Sequence, residues 1–262
     1  MIRQFQYMSD LHTEFDNRVD KNPEFDDSFM PEKVSDYLIL AGDIVAKHSE
    51  HWLEKVANNW EYVFYVFGNH EFYGTRFFKR KLELKELCHS LGIIVLDDDF
   101  YMLGDVPIIG STMWTDLSDP RDEYFAKSMM NDYSKITWDK DGYHKLSPKN
   151  TTKLWIEAKN FLDKTLEMFK NRKTVVITHT APSITSINNY YRYSAHHSIL
   201  NKAFYVDMED LILKHSPNVW VHGHVHTSVE NKIGDTKVLC NPRGYFGYEE
   251  NPEFDSTKTF SL

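Results

Sequence analysis

The chain is short of cysteine, of positive charge and of long apolar runs, and each shortage closes off a class of protein. Its 262 residues include two cysteines, Cys88 and Cys240, far apart and in no C-x-x-C pair. That argues against a disulfide framework and for two buried thiols in a reducing compartment. No apolar run nears the ~20 residues that a membrane-spanning helix needs. The first strand-like run starts almost at Met1, which leaves no space for a charged, then apolar, then cleavable leader. The expectation is a cytoplasmic protein with no membrane partner. Lys and Arg number 30 against 39 Asp and Glu, a formal net charge of -9. That field opposes loose binding to nucleic acid, which draws on counterion release by cationic side chains. Internal repeats, low-complexity tracts and interdomain linkers are also missing.

Hydrophobic residues make up 41% of the chain and aromatics 15%, enough for a sizeable core. An α/β protein of this length need not divide, so one domain over 1–262 is expected. Apolar runs at 5–9, 37–41 and 61–67 read as strands, with helices at 48–59 and 76–91 between and after them. Weaker strands follow near 93–96 and 106–110, with Asp97-Asp98-Asp99 as a solvated turn between them. Residues 11–36 form a long acidic connection, and 112–146 show little clear period. Ser147-Pro148 reads as an N-cap with proline in the first helical turn, opening a helix to about 170. Strand, loop and helix then repeat at 174–178, 181–203 and 207–215. The last strands fall at 219–222 and 236–240.

Five of these runs end in polar clusters that carry metal-ligand residues. They are Asp10-Leu-His12, Gly42-Asp43, Gly68-Asn69-His70-Glu71, His179 and Gly223-His224-Val225-His226. Chemistry collects at the carboxyl ends of strands in largely parallel sheets. Five such ends on one chain predict a shared metal site. Imidazole, carboxylate and amide oxygens suit divalent first-row ions, and their number exceeds what one tetrahedral ion uses. The set suits two ions about 3.5–4 Å apart, the arrangement used for attack at phosphorus. His222 sits inside its strand and reads as structural. His48, His51, His89, His144 and His215 read as ordinary surface or helix residues.

In order and content the clusters resemble the calcineurin-like metallophosphoesterases, whose pattern is D-x-H, G-D, G-N-H-[DE], a lone H and G-H-x-H. Three further stretches look like a bacterial and phage-type branch of uncharacterised phosphoesterases. These are Gly110-Ser-Thr-Met-Trp-Thr-Asp116, Thr178-His-Thr-Ala-Pro-Ser183 and Asn241-Pro-Arg-Gly-Tyr245. The resemblance implies a four-layer α/β/β/α sandwich. It implies that Asp10, His12 and His226 hold one ion, that Asn69, His179 and His224 hold the other, and that Asp43 bridges them. It implies a bridging hydroxide as attacking group and His70 as a non-ligand that protonates the leaving oxygen. Mn2+ is the favoured metal, with Ni2+, Zn2+, Fe or Mg2+ acceptable to the same donors.

The family's protein phosphatases carry arginines beside two of these motifs. Here Ile44-Val-Ala-Lys47 and Phe67 stand in those places. Their absence favours phosphodiesters, which carry one charge fewer, on small or nucleotide-like substrates. A phosphomonoesterase is the alternative; a nuclease or a non-catalytic scaffold fits less well. Arg243 is a candidate to pair with a phosphate oxygen, with a structural ion pair as its other reading. His196, in the loop after His179, is a candidate substrate contact. Trp114, Tyr190, Tyr191 and Tyr193 read as packing aromatics more than as base-stacking ones. The oligomeric state is not legible.

Overall fold

The computed structural model describes residues 3–18, 29–139, 142–194 and 198–262. The chain opens with strand β1 (Gln4–Met8), then β2 (Tyr37–Ala41), helix α1 (His51–Asn59), β3 (Tyr62–Val66) and α2 (Phe77–Ser90). Next come β4 (Ile94–Val95), β5 (Asp99–Leu103), β6 (Val106–Ser111), α3 (Pro120–Met129), α4 (Asp132–Lys135) and α5 (Pro148–Met168). The last third holds β7 (Val175–Thr178), α6 (Asn189–Tyr193), α7 (Glu209–His215), β8 (Val219–His222), β9 (Val229–Ile233) and β10 (Thr236–Cys240). Short strands β11 (Gly244–Tyr245), β12 (Glu249–Glu250) and β13 (Thr259–Ser261) close it.

Two sheets form. One runs β13-β1-β2-β3-β4 and is parallel except for β13; the other runs β5-β6-β7-β8-β10-β9, parallel in its middle and antiparallel at both edges. Side chains alternate across a strand, so each sheet has two faces to cover. Phe5, Tyr7, Ile39 and Phe64 of the first sheet meet Ile108, Val175, Ile177 and Val221 of the second. The opposite face of the first sheet, with Leu38, Leu40 and Tyr65, packs on Trp52, Leu53 and Val56 of α1 and Leu84 and Cys88 of α2. The opposite face of the second, with Ile109, Val176 and Trp220, packs on Ala158, Leu162 and Leu166 of α5 and Leu211 and Ile212 of α7. Helix, sheet, sheet and helix therefore stack in four layers, which is the expected class.

The differences from the sequence reading lie where signals are short. Asp99 opens β5, and Asp97 is an ion-pair partner rather than a solvated turn residue, 2.9 Å from Lys81 and 2.7 Å from Lys85. The aperiodic 112–146 stretch contains α3 and α4. Asp119 caps α3 by accepting from the Arg121 N–H at 2.8 Å, with Pro120 in the first turn. Ser147 and Pro148 do open α5, with Asn150 reaching back to the Ser147 N–H at 3.0 Å.

Candidate metal centre

The parallel strands β1, β2, β3, β7 and β8 all end at one edge of the sandwich, and the polar clusters follow them. Asp10, His12 and His226 bring ligand atoms within 4.8 Å of one another; so do Asp43, His179 and His224; and so do His12, Asp43 and His70. Asp43 belongs to two of these groups. Its Oδ2 lies 3.8 Å from His12 Nε2 and its Oδ1 lies 3.5 Å from His179 Nε2. His12 Nε2 and His226 Nε2 face each other at 3.2 Å, and Asp10 Oδ1 is 3.5 Å from the latter. Asn69 Oδ1 sits 3.0 Å from His179 Nε2.

The second nitrogen of each histidine is anchored to an oxygen, which decides the nitrogen left to point inward. His179 Nδ1 meets the Ala41 carbonyl at 2.9 Å, so Nε2 faces Asp43. His12 Nδ1 meets Glu14 at 3.3 Å, and His226 Nδ1 lies 3.7 Å from Glu249. His224 is reversed: its Nε2 meets the Ala203 carbonyl at 3.0 Å, which leaves Nδ1 inward. A buried set of imidazole nitrogens, carboxylates and an amide oxygen, pre-oriented this way, fits divalent metal ions. Protein charge alone settles the cluster only by splitting proton affinities. Burial opposes protonation of His226 and His179, but Asp10 and Glu249 raise the first to about 10, and Asp43 raises the second to about 9. Burial takes His224 down to about 4.

The backbone is unusual at the same residues. Asp10, His12, Asp43, His224 and His226 all have positive φ, between 43° and 71°. Non-glycine residues rarely adopt this conformation, though Asp and His tolerate it better than most. Such strain persists where surrounding structure over-determines it. Here it turns each side chain back over the strand end. Two glycines allow the turns to close. A Cβ on Gly42, at φ +87°, would fall 2.3 Å from His179 Nδ1, and one on Gly68 would fall 2.1 Å from Asp43 Oδ1.

Two acidic residues in these clusters had no role assigned from sequence. Glu71 is fully buried and accepts from the N–H groups of Asp43, Ile44 and Gly68 at 3.2, 2.8 and 2.8 Å, and from the Tyr65 hydroxyl at 2.5 Å. It ties the β2 and β3 turns together, and burial beside Asp43 lifts its carboxyl to about 7. Glu14 lies 3.3 Å from His12 Nδ1 and 3.1 Å from His70 Nδ1 through the same oxygen. Burial opposes its ionisation, but the two imidazoles hold it at about 2. The acidic residue two places after His12 was the visible signal; only the fold brings it to His70.

His70 stands at the cavity side. Its backbone N–H donates to Asp43 Oδ1 at 2.8 Å, its ring stacks on Tyr73 at 4.1 Å, and its Nε2 is 3.3 Å from the Tyr245 hydroxyl. Burial would lower its pKa, but Asp43 and Glu14 raise it overall. Arg243 is not on the cavity wall. Its Nη1 pairs with the buried Asp16 at 2.7 Å, and its guanidinium lies over Phe29 and Phe246. His196 lies outside the described residues. His222 is buried, 2.9 Å from Ser186 Oγ, and points away from the ligands. His215 is more than a surface residue: its ring is buried and pairs with Asp163 at 2.6 Å. Trp114 is core, whereas Tyr191 reaches the cavity. That cavity, about 390 Å3, opens from the ligand cluster past His70 and His224. No described helix is long and apolar enough to cross a membrane.

Known proteins share this architecture. The phosphopantetheinyl hydrolase PptH of Mycobacterium tuberculosis superposes with a TM-score of 0.68 at 18% identity, over 94% of each chain. A Staphylococcus aureus protein provisionally assigned as a 5'-nucleotidase superposes at 0.50 with 18% identity, over 93% of this chain and 49% of its own. In sequence, the uncharacterised protein L509 of Acanthamoeba polyphaga mimivirus is 29% identical over 273 residues, covering 95% of this chain and 94% of its own. The model of the calcineurin-like phosphoesterases matches residues 7–228, which includes every cluster described above. The chain therefore belongs to the calcineurin-like phosphoesterase family, hydrolases of phosphoric esters that work with divalent metal ions.

Proposed function

We propose that the protein is a phosphodiesterase of small or nucleotide-like phosphoesters, acting in a reducing, cytoplasmic setting. The observation that carries this is the composition of the cavity wall. Among the described residues lining it there is no Lys or Arg beside the ligand cluster. A monoester dianion would bring a second charge with no Lys or Arg to meet it, whereas a diester brings one.

In this reading Asp10, His12 and His226 would hold one ion and Asn69, His179 and His224 the other, with Asp43 shared between the two sets. Mn2+ is the favoured metal. When bound, the ions would polarise phosphoryl oxygens and make hydroxide available near neutral pH. The protein's own contribution is positional. Glu14 fixes the His70 ring through Nδ1, so that Nε2 presents a proton to the cavity for the departing oxygen. Tyr73 braces the same ring from its face. Phe204, 5.1 Å from His224 between ring centres, packs against that ring on the cavity wall. Retention of every proposed ligand and of His70 in one cluster weighs against a non-catalytic scaffold.

The test is turnover of bis-p-nitrophenyl phosphate against p-nitrophenyl phosphate, with metal-stripped protein reloaded with Mn2+, Ni2+, Zn2+ or Mg2+. Faster cleavage of the diester is expected, with Mn2+ best. A monoester rate tenfold above the diester rate would overturn the assignment and make the protein a phosphatase.

A further inference from the structure

The cavity is larger than its chemistry requires. At about 390 Å3 it falls in the ~300–1,000 Å3 range of whole small-molecule sites, far more than a phosphoryl group fills. Beyond His70 and His224 the wall comes from two places. Met129 ends α3, Met130 and Asn131 link it to α4, and Ile187, Asn188, Tyr191, Leu200 and Asn201 lie in and around α6. These side chains are thioether, aliphatic, phenol and carboxamide. None of the described lining residues from these two segments carries a charge. The three amides each offer a donor and an acceptor a few ångströms apart. Asn188 accepts from the Tyr190 N–H at 2.9 Å through Oδ1, and Asn201 donates to the Tyr191 carbonyl at 3.4 Å, so both amides are held in fixed orientations.

Resting on the phosphodiester reading, we infer that this wall selects esters with one uncharged organic arm, apolar along its length and bearing a neutral donor–acceptor group. An amide-containing chain and a nucleobase both present that group. An anionic arm would be desolvated against Met129, Ile187 and Leu200 with no cation to meet it, which is costly. A short alkyl arm would leave the wall wet and unused.

The experiment uses the Mn2+-loaded enzyme and four p-nitrophenyl phosphodiesters that differ only in the second arm. The arms are methyl, thymidine, an amide-bearing alkyl chain, and an alkyl chain ending in carboxylate. Expected is a kcat/KM at least tenfold higher for the thymidine or amide arm than for methyl, with the carboxylate arm lowest. The better of the two neutral arms identifies the source of the donor–acceptor group. Two variants at exposed positions then move the charge preference. Met129→Lys should raise the carboxylate-to-amide ratio about tenfold. Asn188→Asp, which can still accept the Tyr190 N–H, should lower it. A wild-type preference below threefold among arms, a preference for the carboxylate arm, or ratios unmoved by both variants would overturn the inference. If none of the diesters turns over, their Kd values on the metal-loaded protein are compared by calorimetry. Affinity that follows the arm keeps the assignment of the wall and discards the diesterase reading; affinity indifferent to the arm discards both.

Discussion

At the floor of the cavity and beneath it, Asp10, His12, Asp43, Asn69 and His179 stand at the ends of buried strands and are themselves buried, Asp43 and Asn69 reaching the cavity itself. Along its wall, Met129, Asn188 and Tyr191 come from short helices and turns and are exposed. Each floor imidazole is fixed by an oxygen behind it, and Glu71 ties the two central turns together. The wall amides of Asn188 and Asn201 are held instead by contacts within their own segment. A substitution on the floor therefore disturbs a coupled network, and one on the wall alters a local contact. The contrast places the proposed chemistry on a coupled network and the proposed selectivity on side chains held by local contacts.

Four variants press on that contrast, in falling order of expected effect on turnover. Asp43→Asn should cost both metals and lower activity by about 10^3-fold or more, the scale of losing a main electrostatic support of the transition state. Metal analysis finding two ions per chain would refute the bridging position. His70→Ala should keep two ions and lower turnover of alkyl diesters about 10^2- to 10^4-fold, with far less effect on p-nitrophenyl esters, whose leaving group needs no proton. Equal losses on both would remove the acid role.

Glu14→Gln tests the link between floor and acid. His70 acts while protonated, so activity is present below its pKa and is lost as pH rises through it. Glu14 is one of the groups that raise that pKa. Removing its charge should move the alkaline limb of the kcat profile to lower pH and lower the rate about tenfold, consistent with losing a positioning contact. An unmoved limb would leave Glu14 as packing only. Arg243→Met, outside the cavity, should change KM less than about threefold while lowering stability by roughly 3 kcal/mol, because it strands the buried Asp16 carboxylate. A large rise in KM with unchanged unfolding would instead give Arg243 a phosphate.

The floor was legible because its residues cluster in sequence. Asp10 and His12, or His224 and His226, sit two apart after an apolar run, and strand ends in a parallel sheet share an edge. The longer apolar runs gave most of the strands and helices, whereas the four-layer stacking came from the family resemblance of the clusters and not from the runs themselves. Short elements escaped: β11 and β12 have two residues each, too few for a period. Helix α3 was hidden by a weak apolar pattern, although Asp119-Pro120 marked its start. Glu14 was visible as a residue but not as a partner of His70, 56 positions away. The wall was illegible for the same reason, since Asn131 and Asn188 become neighbours of one cavity only after folding.

The left-handed backbone at Asp10, His12, Asp43, His224 and His226 bears on how this protein can change over generations. At such positions glycine costs the fold least, by about 1–2 kcal/mol relative to an ordinary side chain. A side chain at any of these positions is held there against that gradient by the structure around it. In a lineage that no longer needed the reaction, glycine at these positions would relax the backbone but empty buried space and strand the N–H groups that Asp10 and Asp43 accept. Drift there would trade backbone strain against packing, so loss of activity would not by itself yield a sturdier protein.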